Sequence, residues 1–372
     1  MAFTGNTRRL AIESLTARAF RNLADVEVEL GPGFNVISGE NGQGKTNLLE
    51  ALYVLATSRS FRTSRVVELI QHGAEVASVR ARVREDDQGR EQVVGLRHGS
   101  RQARMDGKRP ATLAAYAVMT PVVVFHPGSV VLSSGSGIER RRLLDRLVLY
   151  RDPSRHGEAD SYVKALRSRQ RVLEVRGEAS KDLDQWEELV VRHGMALSVA
   201  REQACEDLVP AVAAAFQNLA PAGLRLGARY VAGAPGDAEA FRAALARDRV
   251  RDRARGSAST GPHRDDLALE LDGRGVRGVA SQGQHRAIVL ALELAEVELV
   301  AAARGVQPIL LLDDVSSELD RGRTAALMQA LSAQQGQVVL TTTRPELIET
   351  LTGFQVGSRR DVRVVQGRII LA

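Results

Sequence analysis

The chain has 372 residues, 44% of them hydrophobic and 26% charged, which is the mixture of a globular protein with two or three packed domains. Its single cysteine, Cys205, excludes an internal disulfide, and no Cys/His cluster has metal-ligand spacing, so a zinc framework is excluded and a reducing cytosol fits. Fifty-one Lys and Arg against 45 Asp and Glu give a net charge of +6, too small a surplus to identify a nucleic-acid partner by itself.

Near the N-terminus, Arg8, Arg9 and Glu13 break up every apolar stretch before a signal-peptide core could form. Leu10, Ile12 and Leu15, then Val26, Val28 and Leu30 with Asp25, Glu27 and Glu29 between them, alternate as strands do. Gly31-Pro32-Gly33 turns the chain into a further strand, Phe34–Ser38, and helix formers run from Asn47 to Ala56. Alternating apolar residues from Val76 to Leu96 predict more strands, and Asp106-Gly107 suits a tight hairpin turn. The continuously apolar Pro121–Phe125 predicts a strand buried on both faces.

Composition changes at Ser133-Ser134-Gly135-Ser136-Gly137, and from Ile138 to Leu219 the pattern is helical. Leu183, Trp186, Val190, Leu197, Ala200 and Ala204 form an apolar stripe whose expected fate is core packing. After Leu267 the α/β character returns with Pro308–Asp314, Gln337–Thr341 and a final strand pair from Val362 to Leu371. Ile288–Ala303, the most apolar long stretch, carries Glu293, Glu296 and Glu298 at helical spacing, which predicts an amphipathic helix and no membrane span. The expected organisation is therefore one α/β head made from residues 1–132 and 259–372, with a mainly helical arm, residues 133–258, inserted in it.

Between the strand Phe34–Ser38 and its following helix lies Gly39-Glu40-Asn41-Gly42-Gln43-Gly44-Lys45-Thr46, a G-x-x-x-x-G-K-[ST] loop. Its glycines let backbone N–H groups turn inward around phosphates, the lysine reaches the β- and γ-phosphates, and the hydroxyl ligates Mg²⁺. Asp313, at the end of an apolar strand, supplies the carboxylate that holds the magnesium shell opposite Thr46. Asp314 can polarise an attacking water in line with the γ-phosphate, or serve as an N-cap. Ser281-Gln282-Gly283-Gln284 stands before a helical stretch from about Ala287, where a serine hydroxyl and free N–H groups form a second anion site.

Ser281 lies 32 residues before Asp313, and Ser316-Ser317-Glu318-Leu319-Asp320 follows it. In this order the motifs resemble the signature, magnesium strand and D-loop of the ABC ATPase superfamily. The resemblance implies an ABC-type ATPase head that is complete only as a dimer, with Ser281, Gly283 and Gln284 of one copy reaching the nucleotide held by the other. Transporter ATPases place the glycine loop and magnesium aspartate little more than a hundred residues apart; here 268 residues separate Lys45 from Asp313. An arm of roughly 130 residues folded as a hairpin would extend about 60–90 Å at about 1.5 Å per residue, too short for a chromosome-condensing coiled coil.

Phe20-Arg21-Asn22, Ser60-Phe61-Arg62, Ile138-Glu139-Arg140-Arg141-Arg142-Leu143-Leu144-Asp145 and Gly261-Pro262-His263-Arg264-Asp265-Asp266-Leu267 join the loops above to resemble one family, the RecF-type recombination mediators. That resemblance implies a cytosolic bacterial protein that binds double-stranded and gapped DNA in an ATP-dependent manner and works with RecR and RecO proteins to load recombinase. It implies that Arg21 and Asn22 lie near the nucleotide, with Arg62 a further candidate, and that Thr343 stands where many ABC ATPases have a histidine. No glutamine occurs from Thr120 to Pro127, so no Q-loop residue is assigned. Asp314 is one methylene shorter than the superfamily's usual glutamate, which implies weak ATPase activity.

Sequence-independent binding to a duplex needs Lys and Arg spread along a face. Arg97, Arg101, Arg104, Lys108 and Arg109 form one candidate cluster, Arg140, Arg141, Arg142 and Arg146 a second, and Lys164, Arg167, Arg169 and Arg171 a third. In the run Arg247–Arg255, Asp248 and Asp252 can neutralise their neighbours. Aromatics make up only 4% of the chain, which favours backbone contacts to a duplex over a stacking platform for single strands. Two rival readings differ in what they require: a transporter subunit's ATPase would be indifferent to DNA, and a purely structural DNA-binding module would bind DNA with or without ATP.

Overall fold

The computed structural model describes residues 7–220, 223–314, 336–345 and 359–371. Its chain divides into two compact units, Met1–Val130 with Ala215–Ala222 and Ser281–Ala372, and Val131–Ala214 with Gly223–Ala280. Ser316–Asp320, the expected D-loop, lies outside the described residues.

The first unit carries two sheets. Strands β1 (Leu10–Arg18), β2 (Val26–Glu29), β3 (Phe34–Ser38), β4 (Val76–Glu85), β5 (Gln88–Arg97), β6 (Ser100–Met105) and β7 (Val122–Phe125) come from its N-terminal part. The antiparallel sheet has the order β2-β1-β4-β5-β6. On β4, Ala77, Val79, Ala81 and Val83 are buried while Arg80, Arg82 and Arg84 between them are not, as expected of a sheet with one face in the core and one in solvent.

The second unit holds β8 (Leu226–Val231), β9 (Asp266–Leu271) and β10 (Arg274–Gly275), an antiparallel set in the order β10-β9-β8. The chain then returns to the first unit with β11 (Ile309–Leu312), β12 (Val338–Thr342), β13 (Arg359–Val365) and β14 (Arg368–Leu371). These complete the first unit's second sheet, β14-β13-β3-β12-β11-β7, parallel throughout except for the terminal β13–β14 hairpin. Ile309, Leu310, Leu311 and Leu312 are all buried, so the continuous apolar run reflects burial on both faces.

One hydrophobic core joins the two sheets across the helix Lys45–Thr57: Leu48, Leu52 and Leu55 share it with Val79 and Val94 of the antiparallel sheet and Ile37, Leu311 and Val339 of the parallel one. Parallel strands expose their backbone groups at their C-terminal ends, and the loop after β3 and the residues after β11 both lie there. That register brings two segments far apart in sequence to one edge of the sheet. Gln282–Arg304 forms a helix over the expected stretch, but it is not amphipathic through its glutamates as expected: Glu293 and Glu296 are buried and only Glu298 of the three is exposed. Among the described residues no helix is long and apolar enough to cross a membrane.

In the second unit, helices Gly137–Arg151, Glu158–Arg176, Ala238–Arg247, Arg249–Arg255 and most of Asp182–Leu219, up to Ala214, accompany the small sheet. Leu183, Val190, Leu197, Ala200 and Ala204 of the predicted stripe are buried, Trp186 partly so. The compact unit also takes in residues 259–280, which the sequence pattern assigned to the head. Those residues pair into the unit: β9 lies against β8, Asp265 accepts from Arg201 at 2.9 Å, and Asp266 from Arg140 at 2.7 Å. The Asp106-Gly107 turn forms with both residues at positive φ, but it closes only a Met105–Lys108 bridge, and no described strand follows it.

Candidate functional site

The loop after β3 is shaped by its glycines. Gly39 has φ 152° and leaves no room for a Cβ against the carbonyl of Val364, while Gly44, at φ 108°, caps the helix Lys45–Thr57. Backbone N–H groups at that helix start have no intrahelical partner, which makes the loop a ready anion cradle. Lys45 is 7% exposed, and its ammonium donates to the carbonyls of Gly39 at 2.7 Å and Glu40 at 2.8 Å. Burial lowers its pKa, and the nearby charges of Asp314 and Asp313 oppose that shift.

Thr46 follows at the second helical position, and its hydroxyl lies 2.9 and 3.0 Å from the two carboxylate oxygens of Asp313. Thr341, on the neighbouring β12, donates to Asp313 Oδ1 at 2.8 Å and accepts from the backbone N–H of Asp314 at 2.9 Å. Burial raises the Asp313 pKa, and the hydrogen bonds from Thr341 and Thr46 pull it back down. Asp314 adopts a left-handed backbone, φ 51°, which turns its side chain away from the strand alternation. A hydroxyl, a buried carboxylate, an ammonium group and a row of backbone amides thus meet at one sheet edge, a donor set matched to a phosphorylated ligand and a hard cation.

Beside the loop, Asn22 donates to the carbonyl of Gly42 at 3.4 Å and accepts from Asn47. Arg62 donates to Asn47 at 2.7 Å. Arg21, itself at φ 54°, makes a two-pronged pair with Glu50, both contacts at 2.9 Å. Asn41 and Gly42 form the exposed crown of the loop, with Gly42 at φ 78°, and Gln43 is partly buried. Ser281 and Gln284 form a reciprocal capping box: the serine hydroxyl accepts from the Gln284 N–H at 3.3 Å, and the Ser281 N–H donates to the Gln284 side chain at 2.7 Å. Gly283 follows the exposed Gln282 in the first turn, and Thr343 stands just beyond the end of β12, partly exposed.

The expected DNA-contacting arginines divide sharply. Arg97 and Arg104 lie on the outward face of the antiparallel sheet and Lys108 on the exposed turn, whereas Arg101 pairs with Leu96 on the opposite, core-side face and is half-buried. The five basic residues of that cluster therefore do not share one face. Arg140 corrects the expectation for the second cluster: it is 3% exposed and its guanidinium is occupied by both oxygens of Asp266 and by the carbonyls of Leu132 and Gly135. Arg141 donates to the carbonyl of Asp265 at 2.7 Å, and burial followed by the charge of Arg201 lowers its pKa. Arg142 is exposed and paired with Glu139. Arg169 of the third cluster is fully buried between Glu187 and Asp252.

Glu50, Asn47 and Thr341 belong to this site although no motif singled them out. Glu50 left a trace in the sequence, a lone acid between Leu49 and Ala51 in an otherwise apolar helical run, and Thr341 and Thr342 are the polar end of an apolar strand.

Residues 11–358 match the RecF/RecN/SMC N-terminal domain family. A DNA replication and repair protein RecF from Anaeromyxobacter sp. (strain Fw109-5) is 44% identical over 349 residues, covering 91% of this chain and 94% of that protein. The protein of that name from Myxococcus xanthus (strain DK1622) is 40% identical over 90% of this chain and 91% of its own length. Among solved structures, the recombination mediator protein RecF described with ATP in the RecFOR pathway superposes with a TM-score of 0.87 at 26% identity, over 100% of both chains. An Smc head bound to the C-winged helix domain of ScpA shares the fold at a TM-score of 0.55 and 17% identity, covering 97% of each chain. With an ABC-type ATPase head fold and relatives of this likeness over nearly its whole length, the chain belongs to the RecF family of DNA replication and repair proteins.

Proposed function

We propose that the chain is an ATP-dependent DNA-binding protein of recombinational repair, in which ATP and Mg²⁺ fasten two copies together on DNA. The observation that carries this reading is the Thr46–Asp313 hydrogen bond, which joins the glycine loop to the end of a strand 267 residues away. The residues suit the ligands. Gly39, Glu40, Asn41, Gly42, Gln43 and Gly44 offer backbone N–H groups to phosphate oxygens, and Lys45 can exchange its loop carbonyls for the β- and γ-phosphates. Thr46 and Asp313 are the hard oxygen donors that would hold Mg²⁺, which when bound offsets the charge of the phosphates. Arg21 and Asn22 flank the nucleotide, and Thr343 approaches it from β12.

Asp314 orients and deprotonates the attacking water. Its short side chain makes turnover slow, so that ATP acts as a fastener and a timer more than as fuel. Ser281, Gly283 and Gln284 act in trans: the helix start that the capping box leaves exposed is offered to the γ-phosphate held by the partner copy. The closed pair would bind duplex and gapped DNA through exposed basic groups, Arg97, Arg104 and Lys108 among them, and cooperate with RecR and RecO in loading recombinase, in the cytosol and without a membrane partner. A solved relative described as a recombination mediator of the RecFOR pathway supports that assignment.

Light scattering with ATP and Mg²⁺ tests the core of the reading on wild type, Lys45→Met and Ser281→Arg. A wild-type dimer is expected that neither variant forms, while Ser281→Arg still binds ATP. Normal dimerisation of Ser281→Arg would refute the trans assignment, and duplex binding indifferent to both ATP and salt would refute the functional reading.

A further inference from the structure

The helix that starts at the glycine loop buries a carboxylate one turn in. Glu50 is 0% exposed, surrounded in sequence by Leu48, Leu49, Ala51 and Leu52, all buried. A charge at such a position is costly unless every oxygen is satisfied, and here every partner comes from the edge of the candidate site. Oε1 accepts from Arg21 at 2.9 Å and from the Ser60 hydroxyl at 2.5 Å. Oε2 accepts from Arg21 at 2.9 Å and from Arg62 at 3.2 Å. One carboxylate thus holds two arginines that come from different loops, one after β1 and one after the helix Lys45–Thr57.

Both arginines lead back to the phosphate loop. Arg62 spends a second donor on Asn47 at 2.7 Å; Asn47 donates to Asn22, and Asn22 donates to the Gly42 carbonyl at 3.4 Å. Arg21 immediately precedes Asn22 and is held in a left-handed conformation, φ 54°, a strained backbone that persists only where its surroundings impose it. The side chain of Arg62 is 40% exposed although its Nη1 is tied down by Glu50 and Asn47, which leaves its other guanidinium nitrogens for a ligand, and the side chain of Arg21 is 18% exposed. Ser60 fixes the near end of the Arg62 loop by accepting from the N–H groups of Arg62 at 2.9 Å and Thr63 at 3.0 Å.

We propose that Glu50 is a positioning residue for the nucleotide: it presets Arg21 and Arg62 as a cationic pair at the rim of the glycine loop, so that bound ATP meets two oriented guanidinium groups without ordering them first. The physical gain is preorganisation, since a flexible arginine loses rotamer freedom when it binds a phosphate and a clamped one has already lost it. Glu50 touches no ligand itself. The proposal rests on the ATP reading above, and the experiment separates the two.

Equilibrium binding of ATP and of ADP, both with Mg²⁺, is measured on the full chain for wild type, Glu50→Gln, Glu50→Asp, Arg62→Ala and the double variant Glu50→Gln/Arg62→Ala, alongside melting without nucleotide. Glu50→Gln and Arg62→Ala are each expected to weaken ATP binding about tenfold, the scale of one charged hydrogen-bonding contact. The double variant is expected to be no weaker than the worse single one, because both changes remove the same oriented group. Glu50→Asp, which keeps the charge, should recover part of the affinity lost in Glu50→Gln. A merely structural role would lower the melting temperature of the Glu50 variants and leave the affinity of the folded protein for ATP unchanged; that result, or strictly additive losses, overturns the proposal. Should Glu50→Gln not fold, Glu50→Asp carries the test alone, and unchanged ATP affinity in it is equally fatal. A wild type that bound no ATP would sink the underlying ATP reading and this proposal with it, whereas wild-type binding with indifferent variants sinks only this one.

Discussion

Gly367 donates its backbone N–H to the carbonyl of Gln43 at 2.8 Å, so the turn of the last hairpin braces the phosphate loop from outside. Gln366 and Gly367 both have positive φ, 49° and 73°, the geometry of a tight two-residue turn, and Gln366 also donates to the Gln43 side chain. A Cβ on Gly367 would run into the Asn22 carbonyl. Gly367→Ala is therefore expected to lower the melting temperature by about 2–8 °C, from a left-handed strain of about 1–2 kcal/mol and the displaced contact. It should also weaken ATP binding although residue 367 touches no ligand, and paired melting and binding measurements check both effects.

Asp313 should show a conflict between stability and function. Burial raises its carboxyl pKa in the folded chain above the ordinary 3.8. Between those two values the folded state holds more protons than the unfolded one, so this group's effect on stability becomes less favourable as pH rises through that window. Asp313→Asn removes the titration. The variant is expected to melt at or above the wild-type temperature at neutral pH and to lack this group's share of the pH dependence, yet to gain nothing from ATP with Mg²⁺, which should raise the wild-type melting temperature. Thermal scans from mildly acid to neutral pH, with and without nucleotide, decide it; a variant several degrees less stable at neutral pH would contradict the argument.

Asp314 offers a cleaner separation of binding from hydrolysis. Its backbone is left-handed, φ 51°, a conformation that asparagine tolerates well. Asp314→Asn should keep its fold, bind ATP and form the ATP-dependent dimer, while phosphate release falls about a hundredfold with loss of the general base. Light scattering and phosphate release on one preparation test this. Unchanged hydrolysis would assign the base elsewhere.

Arginines that look alike in the sequence should behave oppositely. Removing Arg140 leaves Asp266 without its two-pronged partner, and removing Arg169 strips the fully buried Asp252 of its arginine, while Glu187 keeps Arg249. Arg169→Ala is expected to destabilise the second unit by about 3–5 kcal/mol, the usual cost of stranding buried charge. Arg104→Ala and Lys108→Ala should leave melting unchanged and instead weaken duplex binding, each lowering the slope of log affinity against log salt by about 1. Salt titrations of DNA binding beside melting curves distinguish the two groups.

The motifs made the chemistry of the site legible before any fold was known, because a phosphate loop is a local object. Glycines at fixed spacing, a lysine, a hydroxyl and the strand and helix on either side suffice to specify it, and the apolar run before Asp313 announced a strand that ends in a carboxylate. Local sequence likewise placed a helix start after Ser281, whose hydroxyl accepts from the Gln284 N–H.

What the sequence could not settle was which charges are spent on the protein itself. Arg104 and Arg140 occur in equally basic runs, but only the fold places Arg140 against Asp266, 126 residues away, and leaves Arg104 in solvent. Arg101 and Arg104, three residues apart, fall on opposite faces because a strand alternates with period two. Glu50 was an odd acid in an apolar helix until Arg21 and Arg62 converged on it from two other loops. Burial and long-range pairing are properties of the packed chain, and composition holds no record of them. The sequence by itself determined the local chemistry of the glycine loop, and the tertiary structure decided which charged residues stay in solvent and which hold the others in place.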